Sequence, residues 1–188
     1  MAMRNQQDLS AQATSRSHRL PAVVAVLLFA ALAGCQTAGP SNYRQWSPDQ
    51  AQVPTAQIQG NQMTVRNVRN CRYLTTDNYL AEYEDRTYNL NDVQSVDFIV
   101  VPFAGAPMLA HTMLSFGFAT GDYLAVSVEV RKEQGEEFGV AKGFVNGYEI
   151  MYVAGDERVL IKLCTHYRLD DVYVYRTKAS PDQARSML

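Results

Sequence analysis

The chain has 188 residues, 47% of them apolar, with 17 basic against 19 acidic side chains and a formal net charge of −2. That length supports one domain with a sizeable core. Without a basic patch or a positive balance, nucleic acid is excluded as the expected partner.

The first 34 residues read as an export signal. Arg4, Arg16 and Arg19 give a basic start with Asp8 as the only acid, and residues 20–34 carry no charge. As a helix that run would cover roughly 22 Å, short of the ~30 Å hydrocarbon core of a bilayer. A basic start, a short apolar run and small residues at its end make a secretory signal. The junction Leu32-Ala33-Gly34-Cys35 resembles the lipobox of bacterial lipoproteins, which implies acylation of Cys35 and a mature chain that starts there. Two or three acyl chains, at ~0.8 kcal/mol per buried methylene, hold a protein on a membrane essentially permanently. Gln36 stands where, by the same resemblance, an Asp would favour the inner membrane. The expected location is therefore the outer membrane, facing the periplasm.

Residues 36–60, with Pro40, Pro48, Pro54 and several glutamines, read as a flexible tether. The expected domain is then 61–188. Residues 63–68 look like a strand and 76–84 like a helix. Residues 96–103 form a near-continuous apolar run, as in a strand buried on both faces. Residues 110–118 and 122–131 read as a hairpin, 131–137 as a solvated loop and 139–147 as a helix. Residues 148–153 and 159–164 read as a second hairpin, with 172–175 as a last strand. Ser180-Pro181-Asp182-Gln183 is a helix start with a capping box. A helix of about seven residues is unstable alone, so it either docks or has lost a continuation. The expected fold class is α+β, mainly antiparallel sheet with a few short helices.

The first hairpin permits a register argument. Leu124, Val126, Val128 and Val130 form the apolar set of one strand, and Ala110, Thr112, Leu114, Phe116 and Phe118 that of the other. Two even core faces require opposing residues to sum to an even number. Ala119-Thr120-Gly121 then fits a three-residue loop with glycine at the left-handed position, and opposing residues sum to 240. His111 comes to lie opposite Glu129, on the face away from that core set, with Cβ atoms ~5 Å apart. A carboxylate beside an imidazole fixes its tautomer and raises its basicity, as a general base requires. An inert cross-strand pair would look the same in sequence. Ser115 and Ser127 lie nearby, with nothing of the strained turn that exposes a nucleophilic serine.

Cys71 is the candidate nucleophile, flanked by Arg69 and Arg72, since cations favour thiolate and Cys, His and Glu make a thiol triad. Two alternatives stand beside it: a Cys71–Cys164 disulfide in an oxidising compartment, or two inert thiols. Cys164 and His166 would share one strand face, but two ligands without a second pair make no metal site. Neither a metal nor a cofactor is expected.

Several segments together carry a family resemblance: Val65-Arg-Asn-Val-Arg-Asn-Cys-Arg-Tyr73, Asp85-Arg-Thr-Tyr-Asn-Leu90, Ser95-Val-Asp-Phe98, Ala110-His-Thr-Met-Leu-Ser-Phe-Gly-Phe118, Tyr123-Leu-Ala-Val-Ser-Val-Glu129, Arg131-Lys-Glu133 and Gly155-Asp-Glu-Arg158. Over about residues 62–188 the chain resembles the Lnb N-terminal periplasmic domain family. The resemblance implies a fold related to the NlpC-type and lecithin:retinol acyltransferase-like thiol enzymes. It also implies a link to N-acylation of bacterial lipoproteins, with lipid or lipoprotein as substrate. His111 matches the family's histidine, and Glu129 falls in the matching Ser-Val-Glu segment. The family's nucleophile sits in a later Asn-Cys-Thr-Thr segment, before which this chain ends, so the domain is expected to be truncated. The expected activity is thiol-dependent acyl transfer or amide/ester hydrolysis. The alternative is a non-catalytic envelope lipoprotein that binds a protein or lipid.

Overall fold

The computed structural model describes residues 41–137, 139 and 148–188. Its frame is an eight-stranded sheet. Seven strands run in the order β1 (Thr55–Gln59), β2 (Gln62–Arg69), β9 (Glu149–Gly155), β8 (Tyr123–Arg131), β7 (Ala106–Phe118), β6 (Val93–Phe103) and β10 (Tyr173–Arg176). The eighth, β5 (Tyr83–Asn89), pairs with β2, and a separate two-stranded ribbon is formed by β3 (Arg72–Tyr73) and β4 (Tyr79–Leu80). Among the described strands only β2 and β9 pair in parallel. The helices are short: α1 (Glu157–Lys162), which runs into a π-helical turn at Leu163–Arg168, and α2 (Pro181–Arg185). Among the described residues no helix is long and apolar enough to cross a membrane. The fold is thus mostly sheet, mainly antiparallel, with few short helices.

The hairpin β7–β8 adopts the expected register. Met113 faces Ser127, Leu114 faces Val126 and Phe116 faces Leu124, each pair summing to 240. The turn closes with Phe118 N–H donating to the Asp122 carbonyl at 3.0 Å, and Gly121 sits at φ +85°, where only glycine is unstrained.

Burial differs from the expectation of one core face. The even-numbered face packs Val96, Phe116, Phe118 and Leu124 with Met63, Val65 and Val68 of β2. The odd-numbered face carries a second core of Ile99, Val101, Met113, Ala125, Met151 and Val153, closed by Leu160 and Cys164. His111 and Glu129 therefore lie on a covered face. The cover is α1, where a strand was expected: the Asp156 carboxylate accepts from Arg158 N–H as an N-cap. Leu160, Leu163 and Cys164 are buried at the spacing of a helical stripe.

Other segments also depart from the sequence reading. Residues 76–84 are not helical but supply β4 and the start of β5. The helix expected at 139–147 lies outside the described residues apart from Gly139. Helix α2 does dock: its capping box forms in full, and Ala184, with no exposed surface, joins the first core.

The expected tether is different from residue 41 onward. Trp46 is buried, with the guanidinium of Arg44 4.3 Å and that of Arg131 4.2 Å from its ring. Arg131, read as the start of a solvated loop, is 1% exposed. It donates to the carbonyls of Gln50 and Ala51, to Asn42 Oδ1 and to Glu149 Oε1 at 2.9–3.1 Å. These bonds strap residues 41–51 across the ends of β8 and β9. The strap brings Gln50 to the site described next.

Candidate functional site

The ladder of β7 and β8 ends at Met113 and Ser127, and the next step along that face brings His111 to Glu129. His111 Nε2 stands 4.0 Å from Glu129 Oε1, close enough for strong electrostatic coupling but longer than a hydrogen bond. The carboxylate is fixed from the other sides. Arg69 Nη2 and Gln50 Nε2 donate to Oε2 at 3.1 and 3.2 Å, and Ser127 Oγ donates to Oε1 at 3.0 Å. Gln50 is itself held, donating to the Val130 carbonyl and accepting from Lys132 N–H.

Arg69 reaches this face because β2 is bulged. Met63 and Val65 point into the first core, and an unbulged strand would send Arg69 after them. The register shifts between Val65 and Val68, where Asn67 adopts φ +59°. Val68 takes over the first-core face and Arg69 turns to the opposite one. Re-aiming a side chain is a recurrent use of bulges beside functional sites. Asparagine tolerates the left-handed conformation better than most residues.

The electrostatics make two groups of settled charge. Burial alone pushes the Glu129 carboxyl up. Arg69, then His111 and the hydrogen bonds from Arg69 and Gln50, overcome this and bring it down to about 2. Glu129 is therefore ionised at every physiological pH. For His111, burial is the largest influence and lowers its pKa; Glu129 opposes this, while Arg168 and Arg69 reinforce it. The imidazole is neutral at neutral pH, the form in which a histidine accepts a proton.

Of the arrangements left open for the thiols, the disulfide is absent. Cys71 and Cys164 are both free and both buried, so no disulfide joins them. Burial is the largest influence on each and raises both pKa values. The groups acting on Cys71 are Glu82, Arg69, Asp49 and Tyr73, whereas those acting on His111 are Glu129, Arg168 and Arg69. Cys164 is the thiol on the histidine's face. It packs in the second core with Val101, the β6 partner of His111, and with Met113, and it feels Arg168 and Glu129.

Cys164 and His166 lie in the π-helical turn and not on a strand, and His166 Nδ1 is 2.7 Å from Thr165 Oγ1. Among the described residues no three His, Cys, Asp or Glu side chains cluster as metal ligands. The two serines have structural partners: Ser127 holds Glu129, and Ser115, fully buried, bonds Glu157 at the start of α1.

Sequence reasoning missed Gln50, which lay within the supposed tether, and Arg168, which followed a supposed strand. Arg69 was noted only as a neighbour of Cys71. The one available signal for its true role was an asparagine in the middle of an otherwise regular strand.

No curated protein and no solved structure matches the chain. The family model of the Lnb N-terminal periplasmic domain matches residues 79–188, more than half of the chain and including both His111 and Glu129. The chain belongs to the Lnb N-terminal periplasmic domain family, and is by that membership an envelope-associated protein.

Proposed function

We propose that the protein is a lipoprotein of the outer membrane, held by acyl groups on Cys35, whose periplasmic domain binds a lipid or protein partner at the His111–Glu129 face without turning it over. The observation that carries the binding reading is the state of the thiols. Both are buried and both have raised pKa values, which keeps them as thiols, whereas a nucleophilic cysteine needs to be thiolate and reachable. The Leu-Ala-Gly-Cys junction carries the anchor. Palmitate supplied to growing cells should label the wild-type protein and not a Cys35→Ser variant. Equal labelling of the two would remove the anchor from the account.

A second reading, thiol-dependent acyl transfer or amide/ester hydrolysis, is favoured by one specific observation. His111 is neutral beside a carboxylate fixed from three directions, and Cys164, not Cys71, shares that face. Here His111 would take the proton of a thiol attacking an acyl carbonyl and give it to the departing alcohol or amine, with Glu129 stabilising the charged imidazole, and water or an acceptor amine would then release the acyl group from the thioester. Hydrolysis of a p-nitrophenyl ester that disappears in both His111→Ala and Cys164→Ser would establish this reading. Activity indifferent to either substitution would remove it.

A further inference from the structure

Beyond the first core, the even-numbered face of the sheet continues into solvent without a charge. Strand register places Tyr173 beside Val100, Val100 beside Thr112 and Val128 beside Tyr152. One row of uncharged side chains thus crosses β10, β6 and β7, and the Val128–Tyr152 pair carries the same face across β8 and β9. The next row includes Ala110 and the Val130–Ile150 pair. Tyr152 is 65% exposed, Ile150 69% and Val128 52%, with Tyr173 and Tyr175 about half exposed at the other margin. Every charged residue of β6, β8, β9 and β10 has its side chain on the opposite face: Asp97, Glu129, Arg131, Glu149 and Arg176. A contiguous apolar surface of this kind marks an interaction site. Tyrosines at its two margins are the side chains that favour the boundary between hydrocarbon and water.

The position of the strap limits what can cover this face. Ser41 N–H donates to Glu149 Oε2 at 3.1 Å, so the chain is fixed to the domain one residue before Ile150. Only five residues lie between Cys35 and Ser41, and the six steps from one to the other reach at most ~22 Å at ~3.6 Å per step. A tether of 25 residues would let the domain stand clear of the membrane; this one keeps Ser41 within that reach of Cys35, at the end of β9 where Ile150 opens the charge-free face, while the Glu149 side chain that holds Ser41 lies on the opposite face.

We propose that this face, from Tyr152 and Ile150 across Val128 to Tyr173 and Tyr175, seats on the lipid bilayer that carries the acyl chains of Cys35. The proposal rests on the acylated-cysteine reading above. It also orients the candidate site: His111 and Glu129, on the other face of the sheet, look away from that bilayer, so their ligand approaches from the aqueous side.

Vesicles of phosphatidylethanolamine and phosphatidylglycerol containing a bromine-labelled phosphatidylcholine, loaded with the full mature acylated protein, test this. Tyr152→Trp places a reporter on the face, and Ile150→Trp gives a second position should the first variant fold poorly. Leu74→Trp is the control: Leu74 is 75% exposed and follows Tyr73, whose carbonyl accepts from Tyr167 of the helix-covered side. Trp46, buried and common to all variants, sets the same background. The expected result is that bromolipid lowers the face reporters' emission at least twofold more than the Leu74→Trp emission. Equal emission in protein that floats with the vesicles overturns the proposal and leaves the anchor standing, the face then belonging to a protein partner. Failure to float overturns the anchor and the proposal together.

Discussion

At the scale of single residues, the site depends on a charge pair that its surroundings make hard to break. Arg69 has 3% and Glu129 18% of its side chain exposed, and each is the other's main electrostatic partner. Removing one member of such a pair strands the other in low dielectric, which costs about 3–5 kcal/mol. Arg69→Ala should lower urea stability by that amount, and a loss under ~1 kcal/mol would mean that water reaches Glu129 freely. His111 should titrate below the usual histidine range in an NMR pH series. Because Glu129 raises the His111 pKa against the pull of burial, Glu129→Gln should lower it further. An unchanged value in that variant would show that the two side chains do not interact.

At the scale of elements, the hairpin β7–β8 was legible because parity and one glycine determine it together. Two apolar sets of equal parity admit only an odd loop, and Gly121 supplies the left-handed residue that a three-residue loop needs. The bulge at Asn67 was not legible, because it follows from how two cores compete for the residues of β2, a tertiary effect. The strap was hidden for a similar reason: residues 41–51 are poor in large apolar side chains and are held by polar bonds to Arg131. Only Trp46 hinted that they pack. Arg131→Ala should release the strap, so trypsin should cleave after Arg44 at least about tenfold faster than in wild type, as expected for local unfolding. Unchanged cleavage would mean that Trp46 alone holds the segment. Helix α1 was misread as a strand because 159–164 is short and apolar but for Lys162, while the Asp156 cap that decides it fell in the supposed hairpin loop.

At the scale of the whole molecule, the sequence identified the family and the sheet class, and it brought His111 to Glu129. It did not reveal that the odd face has its own cover, nor which thiol lies under it. Acid should probe the site and the fold together. The Glu129 carboxyl falls from an unfolded value near 4.5 to about 2, so its stabilisation is complete above about pH 4.5 and is lost as pH falls towards 2. At ~1.4 kcal/mol per unit this amounts to roughly 3 kcal/mol. His111, also lowered, makes the fold less stable as pH drops below about 6.5, because the unfolded chain then binds the proton first. Glu129→Gln should flatten the acid limb of an unfolding curve between pH 4.5 and 2, and an unchanged limb would place the titration elsewhere.

On the function proposed above, this domain binds its partner and does not use a thiol as a nucleophile. The pH dependence of iodoacetamide labelling of native protein, from pH 6 to 9 with masses read residue by residue, tests it most directly. Both Cys71 and Cys164 should react about 100-fold more slowly than in urea, as buried high-pKa thiols do, and His111→Ala should change neither rate. A thiol that labels quickly at neutral pH, with an inflection that His111→Ala abolishes, would contradict the account and establish a cysteine–histidine pair.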